Sequence, residues 1–136
     1  MFGKKTNKPQ NQIDSLIGMG THVVGDISFS GGLRIDGHVR GNITAMGDKP
    51  STLMLSDRAS VEGKIKVSHA VINGTVVGTV HADEYLELQA KARVSGDIYY
   101  RSLEIQLGAT IEGMLLHQDH VQQGNTVMTL IPATGD

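Results

Sequence analysis

The sequence comprises 136 residues, with 12 lysine and arginine residues against 14 aspartate and glutamate residues and a formal net charge of −2. This length provides one domain with one hydrophobic core but not two. The near-neutral charge, with no basic patch in the body of the chain, argues against a nucleic-acid-binding protein. The absence of cysteine excludes disulfides and thiolate metal sites.

The segment 1–14 combines an apolar tip with positive charge and contains no acidic residue before Asp14. It lacks the apolar run of a secretory signal or a spanning helix, whereas anionic lipid headgroups attract such a segment. Each lysine contributes only about 1 kcal/mol to binding such a surface, so a single segment binds weakly. An assembly that carries many such segments would bind strongly. We therefore predict a disordered tail that binds an anionic membrane surface through Met1, Phe2, Lys4, Lys5 and Lys8, with an ordinary soluble tail as the alternative.

A glycine-centred repeat follows, in which an apolar residue stands two positions before and two positions after each glycine. The first unit is 23–27, around Gly25. The later units are centred on Gly41, Gly63, Gly78, Gly96 and Gly113, at successive spacings of 16, 22, 15, 18 and 17 residues. This period is too short for the common helical repeats.

Alignment on the glycine extends the apolar pattern to every second position, as the two faces of a strand require. The position eight residues before the glycine holds Ile17, Leu33, Leu55, Ala70, Leu88 and Ile105. The position six residues before it holds Met19, Ile35, Asp57, Ile72, Ala90 and Leu107. Small residues stand four positions before the glycine, and β-branched residues stand two before it.

These features predict an all-β protein, a single-stranded parallel β-helix of about six triangular coils over residues 15–118. The longest spacing contains residues 45–51, with two glycine or proline breakers, and predicts a loop that leaves the coil. Asp57 interrupts an apolar column, which suggests a bulge with a local ion pair. Residues 119–136 have no helical periodicity and are expected to form a second disordered tail.

The ends of such a β-helix expose unpaired strands and core side chains. The sequence offers no obvious cap, although the C-terminal tail folding back over the last coil is an alternative. We therefore predict polymerisation through both ends. The predicted contacts are Ile17, Met19 and Val23 at the N-terminal end, and Leu103, Ile105, Leu107, Ile111 and Leu115 at the C-terminal end.

Because of these six glycine-centred coils, the chain resembles the bactofilins over roughly residues 13–118. The resemblance also rests on the phrase LRIDGHVRGNI at 33–43 and on the start MFGKK. It implies a right-handed β-helix flanked by disordered tails, nucleotide-independent polymerisation through the ends, and membrane attachment by the N-terminal tail. It further implies scaffolding of cell-wall or morphogenesis proteins in the bacterial cytoplasm.

Two other classes of function remain open. A β-helical acyltransferase also has coils of about 18 residues, but it would need a catalytic histidine and a cofactor cleft. A monomeric or small-oligomer binding module would present an outer face, with Arg34, Arg40, Tyr99 and Tyr100 as candidate contacts. We expect no enzyme activity, cofactor or metal, and His117 and His120 are interpreted as polar tail residues.

Overall fold

A computed structural model of the chain describes residues 12–119. Within this range the chain forms sixteen β-strands and no helix. In chain order they are β1 (Ser15–Ile17), β2 (His22–Val24), β3 (Ile27–Phe29), β4 (Gly32–Ile35), β5 (His38–Arg40), β6 (Ile43–Ala45), β7 (Thr52–Leu55), β8 (Ser60–Glu62), β9 (Ile65–Ile72), β10 (Thr75–Val77), β11 (Val80–Leu88), β12 (Arg93–Ser95), β13 (Ile98–Tyr100), β14 (Leu103–Ile105), β15 (Thr110–Glu112) and β16 (Leu115–His117).

The strands pair in parallel and form three walls, which we call A, B and C in the order in which the chain first reaches them. Wall B contains β2, β5, β8, β10, β12 and β15. β9 and β11 each bend from wall C into wall A, so their first halves pair with β6 and β13 and their second halves with β7 and β14. Wall A begins with β1, β4 and β7, and wall C begins with β3 and β6. Six coils result, which confirms the predicted parallel β-helix.

The core is a set of aliphatic columns that run along the axis. Ile35, Ile43 and Ile65 are fully buried, as are Ile72 and Ile98 in later coils. Burial of each such side chain stabilises the fold by at most about 1.5–3 kcal/mol. This is an upper limit because the real unfolded chain is more compact than the extended chain from which the buried area is calculated. Short strands with little hydrogen bonding of their own are therefore stabilised mainly by stacking on neighbouring coils.

The corner between walls A and B occurs in two lengths. Coils 2 and 4 turn within two residues, whereas the other four coils use four residues. The four-residue corners are hydrogen-bonded turns, for example with Ala59 N donating to the Ser56 carbonyl over 3.0 Å. A two-residue corner packs tightly under the longer corner before it, and a Cβ on Gly37 would collide with the carbonyl oxygens of Gly18 and Thr21. Only glycine fits there.

This difference in length corrects the predicted alignment of wall A. Ile17 pairs with Ile35 rather than with Leu33, and Leu55 pairs with Ile72 rather than with Ala70. The residues six before the glycine in the longer corners are therefore corner residues and not core residues: Met19, Asp57, Ala90 and Leu107.

Asp57 accordingly lies in a turn rather than in the predicted bulge. Its carboxylate lies 3.5 Å from Lys91 Nζ, which belongs to a corner two coils further along. The predicted ion pair is therefore not a local one. A polar residue at this position is unremarkable because the corner faces solvent.

The repeated glycine itself forms the two-residue corner between walls B and C. Gly63 has φ +154°, and a Cβ there would meet the carbonyl group of Gly41 in the coil before. Beside this column, Asp26 accepts a hydrogen bond from Asn42 N, and Asn42 Oδ1 accepts one from Lys64 N, both at 2.9 Å. The polar side chains of the corner thus satisfy backbone groups of the next coil.

The insertion is confirmed as a departure from the coil, although Ala45 is the last residue of β6 and the loop covers 46–51. Its base is closed by Ser51 and Ser68. Ser51 N donates to Ser68 Oγ over 2.7 Å, and Ser68 Oγ donates to the Ser51 carbonyl over 2.7 Å. The loop therefore leaves the end of wall C and enters wall A without disturbing the stack.

Candidate functional site at the open ends

Both ends of the described β-helix have strands that are paired on one side only. At the N-terminal end β1, β2 and β3 pair with the second coil, and at the C-terminal end β14, β15 and β16 pair with the fifth. Within residues 12–119, the N–H and C=O groups on the outer edges of these strands have no strand to pair with. Such edges readily pair with another chain.

The C-terminal end also exposes side chains of the core columns. Ile105 is 45% exposed and Leu115 is 42% exposed, whereas Leu88, the neighbour of Ile105 in the fifth coil, is fully buried. Leu103 and Ile111 are half-buried at the same end. The structure thus brings together four of the five residues predicted for this end.

Leu107 is the fifth of these predicted contacts, and it lies apart from the core columns. It occupies the four-residue corner of coil 6 and is 96% exposed. At the N-terminal end Met19 has the equivalent corner position and is 66% exposed, while Ile17 and Val23 are half-buried core residues. The predicted contacts therefore divide into core-column residues and corner residues.

The prediction missed one inward column of wall C. It lies four residues after the repeated glycine and contains Phe29, Ala45, Val67, Ala82, Tyr100 and His117. The column ends in aromatic rings, with the Tyr100 and His117 ring centroids 5.5 Å apart. The same glycine alignment extended by two residues contains this signal. Ile27, in the column before it, also belongs to the N-terminal end face.

The outer walls do not assemble the binding face that was considered from the sequence. Arg34 lies on wall A, paired with Asp36 at 3.0 Å, and Arg40 lies on wall B, near Glu62 at 3.4 Å. Tyr100 points into the core rather than outward. These side chains therefore do not form one surface with Tyr99.

A cleft of about 430 Å³ beside the loop contains Ser51, Ser68 and His69. Ser68 Oγ lies 2.9 Å from His69 Nδ1, but it donates its proton to the Ser51 carbonyl. Burial lowers the pKa of His69, partly offset by the charge of Glu84. This arrangement holds the loop rather than activating a hydroxyl. Within residues 12–119, no three histidine or acidic side chains are grouped so that they could hold a metal ion.

The remaining predicted contacts fall outside the described residues. These are Met1, Phe2, Lys4, Lys5 and Lys8 of the proposed membrane tail, together with His120 and the segment considered as a C-terminal cap. The described part of the chain contains no helix that is long and apolar enough to cross a membrane.

Comparison with known proteins relates the β-helix to one family. The family model described as bactofilin, polymer-forming cytoskeletal, matches residues 15–115. Bactofilin BacP of Myxococcus xanthus (strain DK1622) is 27% identical over 110 residues, which cover 81% of this chain but 44% of BacP. Bactofilin BacO of the same organism is 31% identical over 112 residues, which cover 82% of this chain and 83% of BacO. No solved structure matches the chain.

Proposed function

The chain belongs to the bactofilin family of polymer-forming cytoskeletal proteins, and from this premise we propose that its polymer forms by end-to-end stacking of β-helices. The observation that carries the proposal is the exposure of core-column side chains at both ends of the rod. Ile105 and Leu115 continue columns that are fully buried two coils earlier. A second copy would restore for them the environment of the interior.

Stacking of this kind requires no nucleotide. The contact consists of apolar side chains and backbone ladder groups, which every copy already carries. Burial of apolar area contributes about 25 cal/mol per Å², and each added ladder hydrogen bond contributes about 0.5–1.5 kcal/mol. Three edge strands at each end provide both terms at once.

The polymer is proposed to lie at the inner face of the cytoplasmic membrane, held by the N-terminal tail. The three lysines and the apolar tip of residues 1–8 support this, because such a segment binds anionic lipid weakly on its own. A filament presents many tails along one line, so weak individual binding becomes strong through multivalency. In this position the filament would localise cell-shape or cell-wall machinery.

The family description favours a structural polymer over a β-helical acyltransferase. The other alternative, a monomeric or small-oligomer binding module, differs in its assembly state. Negative-stain electron microscopy of the full chain in nucleotide-free buffer distinguishes the structural polymer from the binding module. We expect filaments, with an axial repeat per subunit of about 29 Å if the ladder continues across the contact at about 4.8 Å per coil. Monomers under these conditions would support the binding module.

Membrane attachment has its own test. Wild-type protein and the triple variant Lys4→Gln, Lys5→Gln, Lys8→Gln are sedimented with vesicles of phosphatidylglycerol or of phosphatidylcholine alone. We expect only the wild type to sediment with the anionic vesicles, and the variant to form filaments as well as the wild type. Equal binding by both proteins would contradict the electrostatic role of the tail.

A further inference from the structure

Two carboxylates of like charge stand side by side on the outer face of wall A. Glu87 in coil 5 pairs in register with Glu104 in coil 6. Like charges directly opposite one another on neighbouring strands are destabilising. The fold therefore accepts an unfavourable pair at this point.

Only neutral groups of the described chain hold these carboxylates. The Tyr85 hydroxyl donates to Glu104 Oε1 at 2.6 Å and lies 3.2 Å from Glu87 Oε1. Gln89 and Gln106 direct their side-chain amides to Glu87 Oε2. Burial and the two carboxylates together raise the pKa of Tyr85.

No lysine or arginine among residues 12–119 pairs with Glu87 or Glu104. By contrast, Asp36, Glu62 and Glu84 each have a cation within 4.0 Å. The outer face of wall A thus carries two negative charges without a cationic partner in the described chain.

A groove of mixed polarity lies beside this pair on the same wall. Val71 and Met54 precede Glu87 in the same outward column, in coils 4 and 3. They line a groove of about 240 Å³ together with polar side chains, among them Arg34 and Asn73, and Val71 is buried. Along this column the outer face of wall A therefore passes from two apolar side chains to a negative patch.

The N-terminal segment approaches this face from the N-terminal end of the rod. The carbonyl group of Gln12 and the Cα of Ile13 lie against the outer side of Gly32, where no Cβ could be placed. Gly32 belongs to coil 2, three coils before Glu87, a distance of about 14 Å. Lys8 is four residues before Gln12 and reaches about 13 Å in an extended chain.

From this geometry we propose that residues 1–11 dock along the outer face of their own wall A, with the lysines opposite Glu87 and Glu104. At about 3.3 Å per residue, the length of chain before Gln12 is sufficient to bring Lys8 to Glu87, and Lys4 or Lys5 to Glu104. The occupant is basic where the wall is acidic. It is also tethered to that wall, which gives it a high effective concentration.

Docking would withhold the tail from the membrane. A lysine opposite Glu87 cannot also contact a lipid headgroup, so the membrane-competent population is the undocked fraction. This consequence, unlike docking itself, rests on the proposed membrane attachment. Anionic lipid and the patch on wall A would then compete for the same three charges.

The docking contact is tested by zero-length carbodiimide crosslinking of the full chain, followed by mass spectrometry. We expect amide bonds that join Lys4, Lys5 or Lys8 to Glu87 or Glu104. The double variant Glu87→Gln, Glu104→Gln should lose them. The matched control Glu62→Gln, Glu112→Gln removes two charges from wall B and should keep them.

A mixture of isotope-labelled and unlabelled protein identifies the source of the tail. Crosslinked peptide pairs in which both peptides carry the same isotope support docking within one chain. Pairs that join a labelled to an unlabelled peptide would overturn docking within one chain and would mean that the tail comes from a neighbouring copy. The absence of crosslinks to either carboxylate in folded wild-type protein would also overturn the proposal.

Vesicle binding tests the consequence. The Glu87→Gln, Glu104→Gln variant should bind phosphatidylglycerol vesicles about three- to tenfold more tightly than the wild type, because a few exposed charge pairs hold the tail. The wall B control should bind as the wild type does. Equal tightening in both variants would mean only a general loss of negative charge and would overturn the competition. Crosslinks without any vesicle binding would support docking and refute membrane attachment instead.

Discussion

Replacement of Ile105 by arginine tests end stacking at the point where the geometry is clearest. Ile105 continues the inward column of wall A at the C-terminal end, directly after Leu88. It is 45% exposed in the single chain, so the substitution perturbs the end contact more than the interior. The long arginine side chain can extend its charge into solvent in the monomer, which favours retention of the fold.

The expected effect is large. An exposed fraction of 45% corresponds to about 80 Å² of apolar surface, whose burial contributes about 2 kcal/mol. An unpaired guanidinium held in the contact costs about 3 kcal/mol more. Together these terms give about 5 kcal/mol, or a weakening of each end contact by more than three orders of magnitude, about 4000-fold.

The assay is sedimentation of polymer over a range of protein concentrations, with filaments scored by negative-stain microscopy and the fold checked by far-ultraviolet circular dichroism. Thr110→Arg is the matched control, because Thr110 carries the same change on the outward face of the same coil. We expect filaments from the control and none from Ile105→Arg. Polymerisation of both variants at the wild-type concentration would refute end stacking through this column.

Three further predictions concern the stability of the coil, each measured by thermal unfolding. Gly37→Ala should destabilise the fold by about 1–3 kcal/mol because its Cβ collides with the coil before, whereas Gly18→Ala, with nothing within 4 Å, should be tolerated; equal effects would contradict this packing. Asn42→Ala should lower the free energy of unfolding by about 1 kcal/mol because Lys64 N loses its hydrogen-bond acceptor. An unchanged melting temperature would argue against a stabilising role for this hydrogen bond. Burial lowers the pKa of His69, so the unfolded chain binds this proton more readily and stability falls as the pH drops below 6.5. His69→Asn should weaken that dependence, and an identical pH profile would exclude His69 as its source.

The glycine column made the fold predictable because it reports a local backbone requirement. At Gly63 both the positive φ and the approach of the preceding coil exclude a side chain. Such a requirement recurs once in each coil whatever the length of the coil. The number of coils and the inward columns of wall B therefore follow from the sequence alone.

The corner between walls A and B could not be predicted in the same way. A four-residue corner contains two residues more than a two-residue corner, and a change of two residues preserves the alternation of strand faces. The pattern of apolar and polar residues is therefore identical for both lengths. Met19 and Leu107 add apolar side chains at the corner, which made it look like a continued strand.

The candidate site was predicted in part for a related reason. Ile105, Ile111 and Leu115 lie in columns that the repeat defines, so their place at the end follows from being last in the column. Phe29 and His117 were missed because their column mixes aromatic, small and aliphatic residues. Its members share a position in wall C but not a chemical type.

The loop at 46–51 provides a position for labelling the assembled protein. Because Ser51 and Ser68 close its base by mutual hydrogen bonds, a peptide epitope inserted between Gly47 and Asp48 would be carried by exposed residues only. The loop projects from the side of the rod between its second and third coils. A tag placed there would mark every subunit for microscopy while both end faces remain free.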